Sequence, residues 1–240
     1  MVHTAAKYLL VAFLASTYKT LPFAYVFRFY YRLIVNLAIP RKRYLLNGKQ
    51  NTFGITGKTN KLDLFEYTTM ETYVSPLELD MYMHKSNSTY SIDLDIARTN
   101  VVTKIFQRFW YKYYDNENKE FKGISLSNMP YVPVASIQCI FKKELRLYQR
   151  YNVKSQIFAW DEKWIFVLSK FVLPGSEKLC SIAITKYVFK KKQRITIKPE
   201  EILKDCGLWN DEVVKVNKKN YEVVRYMAST EDLEKSCDQF

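Results

Sequence analysis

One long apolar stripe sets the strongest limit on how this chain can fold. Tyr90, Leu94, Ala97, Val101, Ile105 and Phe109 recur at steps of three or four, which puts them on one face of a helix over residues 86–114. Ser86, Asn87 and Ser88 stand where N-cap residues belong, and Asp93 and Asp95 sit near the positive end of the helix dipole, as a solvated or dipole-compensating pair. Residues 67–75 precede this helix as a Thr-, Tyr- and Val-rich strand closed by Pro76. Four strand-like runs follow it. Residues 134–142 and 151–160 alternate apolar and polar positions, 164–173 are almost continuously apolar, and 179–189 end at the basic run Lys190 to Lys192. Asp161 and Glu162 mark a hairpin turn between two of them. A lone amphipathic helix ahead of a meander hides its stripe when the sheet wraps around it. The expected class is therefore α+β: a long central helix wrapped by an antiparallel sheet of about five strands.

The charge is distributed unevenly. Residues 1–62 hold ten Lys or Arg and no Asp or Glu, so the remaining 27 bases and 24 acids leave residues 63–240 at only +3. A near-neutral body argues against a globular nucleic-acid binder, whose basic surface belongs on the folded domain. A basic leader instead favours an anionic membrane surface.

That leader is apolar as well as basic. Residues 8–18 are uncharged, Lys19 and Pro22 interrupt, and residues 21–39 continue with Arg28 and Arg32 on one helical face. Residues 8–27 approach the length of a spanning helix, whereas residues 21–39, rich in Tyr and Phe, suit an interfacial one. A cleaved signal peptide fits poorly for want of a cleavage site, and a buried core helix is the plain structural alternative. The reading adopted is a membrane-anchor or interfacial segment over residues 1–39, with the cluster Arg41, Lys42 and Arg43 holding the domain on the cytosolic side. Residues 40–66 read as a basic, polar linker, 67–210 as the folded domain and 211–240 as a C-terminal extension.

Four widely spaced cysteines and two histidines offer neither a disulfide framework nor a metal site, and no cofactor is expected.

The segment from Leu79 to Arg98 carries the functional signal. Asp80, His84, Asn87, Tyr90, Ala97 and Arg98 fall at the spacings of a motif that resembles the 4-hydroxybenzoyl-CoA-type hotdog thioesterases, Asp-x-x-Gly-His-x-Asn-Asn-x-x-Tyr followed by an acid and Ala-Arg. The match is nearest the THEM branch (thioesterase superfamily members with an N-terminal hydrophobic segment) and its fungal relatives. The resemblance implies a hotdog fold, an acyl-CoA substrate with coenzyme A as part of it, a homodimer, a role in lipid metabolism and, with the leader, residence at the endoplasmic reticulum. It assigns catalysis to Asp80, with His84 and Asn87 shaping the turn and holding the thioester. Ser86, Ser88 and Tyr90 border the substrate, with Tyr90 also suited to packing. Lys190 and Lys191 are candidates to meet the phosphates of coenzyme A. Glu78, two residues upstream, and Asp93 are the reserve carboxylates. Two positions depart from the pattern: Met83 replaces the glycine and Ser86 the first asparagine.

Thioester hydrolysis needs a base or nucleophile and donors for the developing oxyanion. A carboxylate just ahead of a helix N-terminus supplies both. The expected function is thus a membrane-associated acyl-CoA thioesterase. A non-catalytic acyl-CoA or lipid-binding module is the alternative, and a basic adaptor comes third.

Overall fold

A computed structural model describes residues 2–50 and 62–229, with 234, 235 and 237. Residues 51–61 of the expected linker and most of the tail beyond residue 229 lie outside the described residues. The leader forms α1 (Val2–Thr17), a 3-10 turn (Tyr18–Thr20), α2 (Ala24–Leu33), a π-turn (Ile34–Ala38) and α3 (Arg41–Leu46). The expected near-spanning run over residues 8–27 is therefore broken. Pro22 cannot continue a helix, and Phe23 takes a left-handed φ of 65°, so residues 4–20 and 24–46 meet at 52°. Among the described residues no single helix is long and apolar enough to cross a membrane, although the bent pair passes on length and composition together. Part of the expected linker is also folded. In α3, Tyr44 is buried against Tyr111, their ring centroids 4.3 Å apart, and the Arg41 guanidinium lies 4.6 Å from the Tyr111 ring.

The body opens with β1 (Thr68–Tyr73) and then the helical pair α4 (Tyr90–Ile105) and α5 (Gln107–Tyr114). The stripe read as one helix is interrupted at Phe106, whose φ and ψ are −99° and 32°. The interruption buries Phe106 beside Phe109, and both rings pack edge-on against Phe189. The expected caps do not form either. Asn87–Thr89 make a 3-10 turn, and α4 starts without a side-chain cap.

Then come β2 (Val134–Phe141), β3 (Arg150–Trp160), β4 (Trp164–Val172), β5 (Leu179–Lys190) and the short β6 (Thr196–Ile197). Every pairing is antiparallel and the order is β1-β3-β4-β5-β2, with β6 joined to β5. The sheet wraps the helix as the stripe requires. Leu94 and Ala97 pack with Met70, Val153 and Phe171, while Val101 and Ile105 pack with Ile157 and Val167. This is the hotdog arrangement. Asp161 caps the expected β3–β4 hairpin, accepting from the backbone of Lys163 and Trp164.

After α6 (Pro199–Asp205), α7 (Asp211–Val224) lies on the outer face of the sheet, with Val224 and Tyr221 against Phe166. A register shift between Ile157 and Ala159 frees backbone groups of β3, and α7 satisfies them. Asn217 both donates to and accepts from the Trp160 backbone, and Asn220 donates to Phe158 O.

Candidate active site

Residues 80–84 make a tight turn closed by Asp80 N–H donating to His84 O and Met83 N–H to Asp80 O. The Asp80 carboxylate holds it from inside: Oδ1 accepts from Tyr82 N at 2.9 Å and from His84 N at 3.4 Å. Its Oδ2 has no hydrogen-bond partner among the described residues and stays available to water or substrate. Met83 sits at φ 61°, the left-handed region that glycine enters without cost. The motif's glycine thus has a backbone reason. Met83 meets the same turn with its side chain 63 % exposed, pointing away from the turn's interior.

The turn is bolted to the helix start. Lys85 N donates to Leu145 O at 2.8 Å and Ser86 N to Glu78 O at 2.7 Å. The next two amides, those of Asn87 and Ser88, open the 3-10 turn and have no acceptor among the described residues. Unpaired donors at a helix start are a ready site for a developing negative charge. Asn87 is exposed there, and the Ser86 and Ser88 hydroxyls bond each other at 2.9 Å. His84 Nε2 lies 3.1 Å from Glu144 Oε2. The Arg146 hydrogen bond and the charge of His84 hold the Glu144 carboxyl below its usual range.

Beneath this turn lies an ionic cluster that the sequence reading missed. Lys19 and Lys85 each reach both Glu78 and Asp93, at 2.8 and 3.5 Å for Lys19 and 2.7 and 3.0 Å for Lys85. Arg28 adds a contact to Asp93 at 3.0 Å, and Tyr151 donates its hydroxyl to Asp93 at 2.5 Å. Burial works to raise the Asp93 carboxyl, but Lys85, Lys19, Arg28 and the Tyr151 bond outweigh it and hold Asp93 well below the carboxylate range. Burial pushes the Lys19 ammonium down, against the pull of Asp93. A lysine inside an apolar run was the available signal, since such a charge needs a partner wherever the run is buried.

The cluster corrects several expectations. Asp93 is neither solvated nor a free reserve acid, because it is fully enclosed by cations. Glu78 is likewise committed: its carboxylate caps the turn Pro76–Glu78 by accepting from Ser75 N, and both oxygens meet lysines. Tyr90 packs, buried between Phe141 and Phe171. Lys190 and Lys191 lie elsewhere. The Asp80 turn joins residue 145, whose segment is bonded to Cys180 at the start of β5, and Lys190 ends that strand. Ten residues of strand separate the two ends by about 33 Å. Lys190 donates to Arg194 O and Thr196, and Lys191 pairs with Glu120 at 2.7 Å.

A family model described as the thioesterase-like superfamily matches residues 74–209. A probable thioesterase of Saccharomyces cerevisiae is 40 % identical over 92 % of this chain and 88 % of its own length. A thioesterase of Purpureocillium lilacinum is 36 % identical over 63 % of this chain, which spans 53 % of that relative's length. A probable thioesterase from Escherichia coli superposes with a TM-score of 0.47 at 16 % identity, over 57 % of this chain and 94 % of that one. With its family signature spanning the wrapped helix and its sheet, and with that yeast relative alike along nearly its whole length, the chain belongs to the thioesterase-like superfamily.

Proposed function

We propose that the protein hydrolyses acyl-CoA thioesters, with Asp80 as the reacting carboxylate and the amides of Asn87 and Ser88 as oxyanion donors. The observation that carries this reading is the open Oδ2 of Asp80 on a turn fastened to a helix start with two unpaired amides. Acting as base, Asp80 takes a proton from water as its oxygen adds to the thioester carbon. The tetrahedral oxyanion draws on the two amides, then collapses and expels coenzyme A as a thiolate, a far better leaving group than an alkoxide. Proton return to that sulfur completes acid and free thiol. The purified full chain, offered saturated acyl-CoA of rising chain length, is expected to release free thiol in proportion to enzyme. Saturable binding without release would leave the non-catalytic module.

The leader attaches the protein to the cytosolic face of a membrane, the endoplasmic reticulum by the family resemblance. Supporting this, α1 exposes Leu9, Leu10, Val11, Phe13 and Leu14, and Phe23, just before α2, and Phe27 within it are exposed too. The 16 residues of α1 extend about 24 Å against a hydrocarbon core of about 30 Å, so α1 lies in the surface rather than across it. Anionic vesicles are expected to co-sediment the protein, and Leu10→Glu with Phe13→Glu to release it.

A second copy pairs along β2. This free edge exposes Ile137, Ile140 and Phe141, and an antiparallel pairing there would bring the second copy's Lys190 end toward the Asp80 turn. Sedimentation of the full chain at twice its 28.5 kDa mass is the check, and Ile140→Lys is expected to give monomer.

A further inference from the structure

A cavity of about 350 Å³ separates the leader from the central helix, within the range of small-molecule sites. Phe29 and Leu33 of α2 and Leu37 of the π-turn line it from one side, with Val102, Trp110 and Met129 from the body. The leader wall is pinned in place. Buried Asn36 in the π-turn donates to Asn100 Oδ1 at 3.1 Å and Thr103 Oγ1 at 2.8 Å, and accepts on its carbonyl from Gln107 Nε2 at 2.8 Å. A π-turn widens the backbone by one residue per turn, which is why such turns occur at functional sites.

One group in this wall is unmet. Arg98 lines the cavity and is 2 % exposed. It donates Nη1 to Thr185 at 2.8 Å and Nη2 to Asp95 at 3.3 Å, but its buried Nε has no partner. A buried donor without an acceptor is costly unless a ligand oxygen completes it. From the cavity, Val102, Thr99, Asp95 and the 42 % exposed Ile92 step back along one face of α4 toward the helix start, with Tyr25 of α2 donating to Asp95 on that face. Tyr90 to Arg98 covers about 12 Å of helix.

We propose that this cavity is the acyl-chain site, and that α2 with its π-turn measures the chain. The ligand class is a medium-length apolar acyl chain bearing an oxygen function distal to the thioester, which accepts from Arg98 Nε. The thioester's place at the helix start rests on the hydrolase reading above. The leader is then a specificity element as well as an attachment.

Calorimetry on the full chain carrying Asp80→Asn, with butyryl-, decanoyl- and 10-hydroxydecanoyl-CoA, separates the possibilities. Leu33→Trp is expected to weaken decanoyl-CoA binding by about tenfold or more and to leave butyryl-CoA within about twofold. The hydroxylated chain is expected to bind severalfold tighter than the plain one. Leu37→Ala is expected to move the preference to longer chains, and it decides alone should Leu33→Trp not fold. Unchanged chain preference in Leu37→Ala overturns the proposal, as does an equal loss of butyryl and decanoyl binding in Leu33→Trp. Its failure is distinct from that of the hydrolase reading: a wild type that shows this chain selectivity but releases no thiol keeps the pocket and loses the enzyme.

Discussion

Replacing Asp80 by asparagine is expected to lower kcat for acyl-CoA hydrolysis by about 10²–10⁴-fold while leaving acyl-CoA affinity nearly unchanged. The substitution preserves shape. The asparagine carbonyl can still accept from Tyr82 N and His84 N, so the turn keeps its internal bonds. What disappears is an oxygen able to take a proton or attack carbon. Turnover against acyl-CoA concentration gives the separation, because a group acting only in the transition state moves kcat and kcat/KM together. Retained turnover within a fewfold would place the base elsewhere, and the described neighbours offer poor substitutes. Glu78 and Asp93 each lie within contact of two lysines and hold buried positions.

Exchanging Lys19 for methionine is expected to destabilise the fold by about 3 kcal/mol, the low end for breaking one side of a buried ionic contact. The low end applies because Lys85 still reaches both carboxylates and Ser75 N still donates to Glu78. Urea unfolding of the full chain at neutral pH measures it. A change under about 1 kcal/mol would show that the leader's lysine is not needed for the cluster. The pH dependence follows from Asp93. Its folded pKa is depressed, so its contribution is complete above the unfolded carboxylate value, near 4, and is lost as pH falls through the folded one. With one cation fewer that folded pKa rises. Acid unfolding of Lys19→Met is therefore expected to set in at higher pH than in the wild type.

The body of the fold was legible because its signals are local. Strand alternation, the Pro76 stop and the stripe from Tyr90 to Phe109 each need only neighbours in sequence, and β1 to β5 fall within two residues of the expected runs. The turn at Asp80 was legible through its spacing, and the φ of Met83 supplies the backbone reason for the glycine in that pattern. What escaped depends on partners far away. Nothing in Asp93's surroundings along the chain says that the face it occupies will be covered by Lys19 and Arg28, 74 and 65 residues earlier. The same blindness put Arg28 with Arg32 on one face of an interfacial helix, when Arg28 turns inward to Asp93. The break at Phe106 was hidden because a stripe repeating at three and four reads alike through a straight helix and an interrupted one.

The distance in sequence between Lys19 and its partners has a consequence during synthesis. Lys19 donates to Tyr151, 132 residues later. At roughly 5–20 residues per second, on the order of 10 s passes between the two residues leaving the ribosome. Through that interval the leader has emerged and its docking site has not. On the membrane attachment proposed above, an apolar, basic segment would meet lipid before it meets its own domain, and attachment would be under kinetic control. In that case the order of translation, rather than the final balance of contacts, would decide which face of α2 is covered first.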